Sequence, residues 1–297
     1  MKKQRRAQFL FIAAFIIPTI IIFGVFTLYP LINGLYLSFF DWSGYSSDKT
    51  FIGIDNYKRL FQDSIIPVTI KNDFFLVFWK VIIIASLAVF FAVALTRFKL
   101  RESGVWRVVF FLPNILSVAI IGVLWAFIFN PEFGLINGFL RMIHLEEWTR
   151  PWLGDSDWAL PSLIVPSIWS GIGFYMILII AGILNIPPDL YEAAKIDGAT
   201  EWQQFIKITL PLAWEQIKLS VLHIIITTLN GSYIIVQLMT KGGPDNVTNV
   251  MGNYLYQMGF EQYQFGYGAT IGVMILVISL VTIFVVGLFL KRDVTEM

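Results

Sequence analysis

"DLYEAAKIDGATEWQQFIKITLP", residues 189–211, reads as soluble and well capped, yet it lies between two stretches apolar enough for lipid. Pro187-Pro188 ends the preceding apolar run, so a new helix can start with Asp189 as its cap and Glu192 closing a capping box. Gly198 is placed to take the left-handed conformation that ends this helix. Thr200 with Gln203 makes a second capping box, and Pro211 limits the second helix. Trp202, Phe205, Ile206 and Thr209 follow helical spacing and are expected to hold that helix on the membrane domain. Ala193 and Ala194 keep the first helix thin on one side, a shape suited to entering a groove on another protein. The alternative is a helix resting on lipid headgroups. Such helices usually carry a basic face, whereas Glu192, Asp197 and Glu201 here outnumber Lys195 and Lys207.

The flanking sequence sets the solvent. Of 297 residues, 57% are hydrophobic and 14% charged, against the quarter or so that a water-facing surface uses. This is the composition of an integral membrane protein, read here as all-α. A net charge of +1 with no basic patch excludes a nucleic-acid partner. Cysteine is absent, and His144 and His223 are the two histidines, too few for the usual metal sites or for a catalytic triad. The expectation is no metal, no cofactor on this chain and no enzyme activity of its own.

Six segments are long enough to cross about 30 Å of hydrocarbon: 9–29, 74–98, 108–129, 160–184, 217–238 and 269–290, the fifth being the least apolar. The first follows "MKKQRR" but is too long, and lacks a small-residue cleavage site, for a signal peptide. Lys2, Lys3, Arg5 and Arg6 precede it. Arg97, Lys99, Arg101 and Arg107 crowd the second connection, Lys195, Lys207 and Lys218 surround the fourth, and Lys291 and Arg292 follow the last span. The positive-inside rule then places both termini and the 189–211 loop in the cytoplasm. The external segment 30–73, with "FIGIDNYKRLF", is expected to carry short helices on the membrane surface, and 131–161 is Trp-rich as an interfacial belt should be. The chain reads as a single domain, 1–297, with a core at about 70–290 and the first span plus external segment in 1–69.

Every Asp and Glu falls outside the six apolar cores, which argues against a proton- or sodium-coupled secondary transporter. Lys80 is the ionisable group well inside a span, and its position near the external end predicts snorkelling to the interface. In the fifth span His223, Thr227, Asn230, Ile234 and Gln237 recur at steps of four and three and share one stripe, with Ser232 and Tyr233 beside it. Interhelical glue and a solute pathway both account for such a stripe, with Asn230 and Gln237 together favouring the pathway. The fourth span offers Ser167, Trp169, Ser170, Gly171, Phe174 and Tyr175. An aromatic and amide lining suits a neutral polyhydroxy solute.

Glu192-Ala193-Ala194, Gly198, Ile208 and Leu210-Pro211 together resemble the EAA motif of ATP-binding cassette importer permeases. "YPLINGLYLSFFDW", "FIGIDNYKRLF" and "LMTKGGPDN", in this order, extend the resemblance to the maltose-type sugar permeases over essentially the whole chain. The resemblance implies that Glu192, Ala193, Ala194, Asp197 and Gly198 couple to an ATPase subunit. It also places Ser167, Gly171, Phe174 and Ser232 where that family contacts sugar. Ser167, Phe174 and Ser232 differ in type from the maltose permease, so the resemblance does not name maltose. It implies a second permease subunit in a heterodimer, two ATPase subunits holding ATP and Mg, an extracytoplasmic solute-binding protein, and a bacterial or archaeal plasma membrane. The dipeptide Gly-Lys of a P-loop is absent from this sequence, in keeping with ATP hydrolysis on another subunit. Rivals are the same architecture carrying a glycerol phosphate ester or a peptide, and a subunit that only scaffolds or regulates.

Overall fold

The computed structural model describes residues 2–45, 48–97 and 102–291; Lys99, Arg101 and Arg292, used above for orientation, lie outside them. In chain order the elements are helix α1 (Lys2–Phe23), a wide π turn (Gly24–Leu28), α2 (Tyr29–Leu37), strands β1 (Phe40–Asp41) and β2 (Thr50–Phe51), then α3 (Asp55–Gln62). Next come α4 (Ile65–Arg97), α5 (Ser103–Ile115), α6 (Val118–Ile128), α7 (Leu135–Met142), α8 (Ala159–Ser162) and α9 (Ile164–Leu184). The loop and the remainder give α10 (Pro188–Ile196), α11 (Glu201–Gln204), α12 (Leu210–Leu212), α13 (Trp214–Met239), α14 (Met251–Tyr256) and α15 (Phe265–Phe289).

Two compact units emerge, Met1–Asp63 with Leu255–Met274, and Ser64–Tyr254 with Ile275–Met297. In the first, the "FIGIDNYKRLF" stretch forms β2 and the short helix α3. Asn56 is buried there and donates to the Ser38 and Phe40 carbonyls, each at 3.0 Å. Thr270 Oγ1 donates to the same Ser38 carbonyl, and Tyr267 donates to Asp63 at 2.7 Å. Gly266 is obligatory in this packing, because a Cβ would stand 1.9 Å from the Phe40 oxygen.

The second unit is built on α4. Ala88 and Ala92 are fully buried, and their small side chains let α9 pack close through Met176, Ile179 and Ile183. Gly173 does the same for α5, its Cβ position lying 2.1 Å from the Phe110 carbonyl. In the apolar 18-residue windows of Ala159–Leu184 and Trp214–Met239, 44% of the residues are buried in each case, as interior membrane helices require.

Among the described residues five helices are long and apolar enough to cross a membrane: Phe11–Leu37, Ile65–Arg97, Ala159–Leu184, Trp214–Met239 and Phe265–Phe289. Trp214–Met239 has the lowest hydropathy of these, 1.7, as expected of the fifth span. The third predicted span, 108–129, is corrected. It is two helices, α5 and α6, bent by 96° at the junction, and it counts as a sixth span only if this pair is taken together. Pro113 removes one helical donor in the last turn of α5, Leu116 is extended (φ −71°, ψ 142°), and the Ser117 hydroxyl caps α6 by accepting from the Ile120 N–H. A second correction concerns carboxylates. α4 starts nine residues before the predicted span, so Asp73 lies inside it, buried, with Oδ2 accepting the Met251 N–H at 2.9 Å and so capping α14.

Candidate functional site

A cavity of about 750 Å³ opens among α4, α9 and α13, with Asn114 and Val118 reaching it from either side of the α5–α6 bend. Ser167, Gly171, Phe174, Asn230 and Ser232 all line it. So do His223, Thr227 and Ile234 from the predicted stripe on α13. Gln237, the last member of that stripe, is not among the lining residues. Gln237 stands two turns, about 10 Å, past Asn230 and beyond Ile235, the last residue of α13 that lines the cavity.

Phe174, Tyr175 and His223 form an aromatic group, with Phe174 and His223 centroids 5.6 Å apart and a Tyr175 hydroxyl to His223 Nδ1 hydrogen bond of 3.0 Å. Ser170, Thr227 and Asn230 donate to the carbonyls of Pro166, His223 and Ile226 one turn back. The two hydroxyl donors and one of the two Asn230 N–H groups are thus used locally, while the hydroxyl and amide oxygens and the second N–H stay available for a ligand's hydroxyls. Gly171 leaves room, its absent Cβ lying 3.4 Å from Ile84 Cδ1.

Lys80 corrects the snorkelling expectation. It is 6% exposed, lines the cavity, and donates to Ser232 Oγ at 3.1 Å. Sequence reasoning placed it by depth alone; the direction of its side chain is set by how α4 packs on α13. Asn114 was missed altogether, since hydropathy runs unbroken through the bend that brings it in and the adjacent Pro113 was not read as its signal.

The 189–211 loop forms two short helices joined at Gly198. Pro188 occupies the first position of α10 with Pro187 as the cap residue, and no side-chain cap bond is made. The expected Asp189–Glu192 box is therefore not formed: Asp189 is already inside the helix, because proline's fixed φ suits the first helical position. At the other end Gly198 has φ +75°, and the Ala199 and Gly198 N–H groups bond the Ala194 and Lys195 carbonyls at 2.8 and 3.1 Å. This is a complete left-handed cap. The Thr200–Gln203 box is present as expected. Glu192, Ala193, Asp197 and Gly198 are exposed and Ala194 half-buried, while Ile196 is 86% exposed.

Anchorage differs in part from expectation. Thr209 is buried as expected, but Trp202 (69% exposed) and Ile206 are exposed, and Gln204 is buried in their stead. A wide turn at Phe205–Thr209 shifts the helical register, which displaces the regular spacing. Tyr191 bonds Thr209 Oγ1 at 3.0 Å, and the Arg97 guanidinium lies 3.7 Å from the Tyr191 ring centre. Arg97 also donates to Gln204 Oε1 at 2.9 Å, and Gln204 Nε2 donates to the Ala199 carbonyl at 3.0 Å. Among the described residues no cluster of three or more His, Asp or Glu side chains is arranged to hold a metal.

Apolar helices enclosing a cavity that several polar side chains enter, with an exposed helix on one connection, define an all-α, multi-pass membrane permease. Residues 88–292 match the family described as binding-protein-dependent transport system inner membrane component, and the chain belongs to that family. It is 36% identical to the probable ABC transporter permease protein YurN of Bacillus subtilis (strain 168) over 273 residues, covering 90% of this chain and 91% of the relative. It is 33% identical to the diacetylchitobiose uptake system permease protein NgcF of Streptomyces coelicolor, covering 91% and 79%. The fold matches a chain of a bacterial alginate ABC transporter, solved in complex with an alginate pentasaccharide-bound periplasmic protein, at a TM-score of 0.83 and 26% identity, covering 100% and 98%.

Proposed function

We propose that this chain is one of two transmembrane subunits of an importer that moves a sugar or oligosaccharide inward. Its residues 1–297 work as one permease domain with both termini in the cytoplasm. The observation that carries the reading is the cavity: it is lined by the aromatic side chains of Phe174 and Tyr175 together with hydroxyl and amide groups from Ser167, Asn114 and Asn230. That combination suits a polyhydroxy solute, whose ring faces are apolar and whose rim is hydroxyl. Permeases of diacetylchitobiose and alginate systems among the similar proteins support the same solute class.

ATP and Mg belong to two partner ATPase subunits, and a solute-binding protein delivers the cargo from outside. Glu192, Ala193, Ala194, Asp197 and Gly198 meet the ATPase on the exposed side of α10, with Ile196 as the apolar contact. One chain supplies one such helix, so a second permease subunit completes the pair. The experiment is reconstitution of the whole importer, both permeases, the ATPases and the binding protein, in proteoliposomes. Sugar-stimulated ATP hydrolysis with sugar accumulation inside is the expected result. Hydrolysis stimulated by a peptide or glycerol phosphate ester, and by no sugar, would overturn the solute class. Full transport by a complex lacking this subunit would make it a scaffold.

A further inference from the structure

Lys80 brings a charge to a cavity whose other lining groups do not balance it. Its side chain is buried, and its ammonium has three donors, one of which goes to Ser232 Oγ at 3.1 Å. No Asp or Glu lines the cavity. The ion pairs found among the described residues do not include Lys80. On its own helix the Asp73 carboxylate stands seven residues earlier, one oxygen accepting the Met251 N–H and the other without a hydrogen-bond partner; it attracts the Lys80 ammonium from a distance but makes no ion-pair contact with it. A cation held in hydrocarbon surroundings without a contacting anion is costly, and such residues usually face a pathway. A cavity meant for neutral sugars gains nothing from that cost, since Gln or Ser would bond hydroxyls as well.

Resting on the reading of this cavity as a sugar pathway, we propose that Lys80 reads a carboxylate on the cargo. The substrate is an acidic saccharide containing uronic acid. Its carboxylate pairs with the Lys80 ammonium beside Ser232, and its ring stacks on Phe174 or Tyr175. Lys80 is then the residue that selects charge, while the aromatic and amide groups select sugar.

The test uses the assembled importer in proteoliposomes and a panel of probes: labelled di- and trisaccharides of glucuronate, galacturonate and mannuronate, each beside its carboxyl-reduced neutral counterpart. At least one acidic member should enter ten or more times faster than its neutral counterpart. Lys80→Met should erase that preference and Lys80→Arg should keep it. If the native importer carries the neutral counterparts equally well or better, the proposal fails while sugar import stands. Entry of no member of either set overturns the charge assignment and leaves the sugar reading to its own test with neutral sugars. A Lys80→Met variant that assembles and keeps the acidic preference would also overturn it. Should that variant not assemble, the preference of the native importer decides alone.

Discussion

Arg97 lies over the ring of Tyr191, guanidinium carbon 3.7 Å from the ring centre, and so ties the end of α4 to the exposed helix α10. The same guanidinium bonds Gln204 and stands 3.6 Å from Glu201. One planar cation thus fixes both arms of the loop, which suits arginine and not lysine.

Arg97→Ala should therefore loosen the loop without disturbing the spans. A cation–π contact of this kind is worth about 0.5–2 kcal/mol, enough to lower solute uptake several-fold at unchanged membrane levels. Arg97→Lys should restore little, because it cannot both stack and bond Gln204. Uptake and membrane content measured together check this, and normal uptake in the alanine variant would contradict it.

Gly198 has φ +75° and nothing within 4 Å of its missing Cβ. A valine there meets no neighbour, so its whole cost is backbone strain, about 1–2 kcal/mol. Gly198→Val should leave the protein inserted and reduce ATPase co-purification and uptake together, while Gly198→Asn, tolerant of this conformation, should be mild. Equal behaviour of the two variants would show that the left-handed joint does not matter.

Gly171 and Gly173 sit half a turn apart on α9 but should fail in different ways. A Cβ at Gly173 would stand 2.1 Å from the Phe110 carbonyl, so Gly173→Ala forces α5 and α9 apart at about 1–3 kcal/mol. A Cβ at Gly171 makes an ordinary contact with Ile84, so bulk added there enters the cavity instead. Thermal unfolding in detergent should drop for Gly173→Ala alone, and Gly171→Leu should lower uptake at near-native stability.

Asn230 lines the cavity and Gln237 does not. Asn230→Leu should cut uptake at least tenfold, whereas Gln237→Leu should act, if at all, through stability. Comparing initial uptake rates with melting temperatures separates the two, and loss of uptake by Gln237→Leu at native stability would return it to the pathway.

The spans were legible because hydrocarbon admits few alternatives to about 20 apolar residues in a helix. Gly198 and the Thr200–Gln203 box were legible because caps are local chemistry. The bend at Leu116 was not, since the sequence stays apolar on both sides and hydropathy averages across it; Pro113 was the available signal. Asp189 was misjudged because Pro188 next to it competes for the start of the same helix. Lys80 and Trp202 were misplaced for a third reason: spacing gives the face of a helix, and only packing says what that face meets.

Helix α4 has no glycine or proline between Lys80 and Arg97. Those eighteen residues, counted inclusively, form an unjointed rod of about 25 Å, with the cavity's cation toward one end and the clasp on Tyr191 at the other. A rod without a joint cannot absorb a displacement; it passes it on. Occupancy of the cavity and the posture of the loop are then two readings of the position of one stiff body, and a single label on α4 would register both.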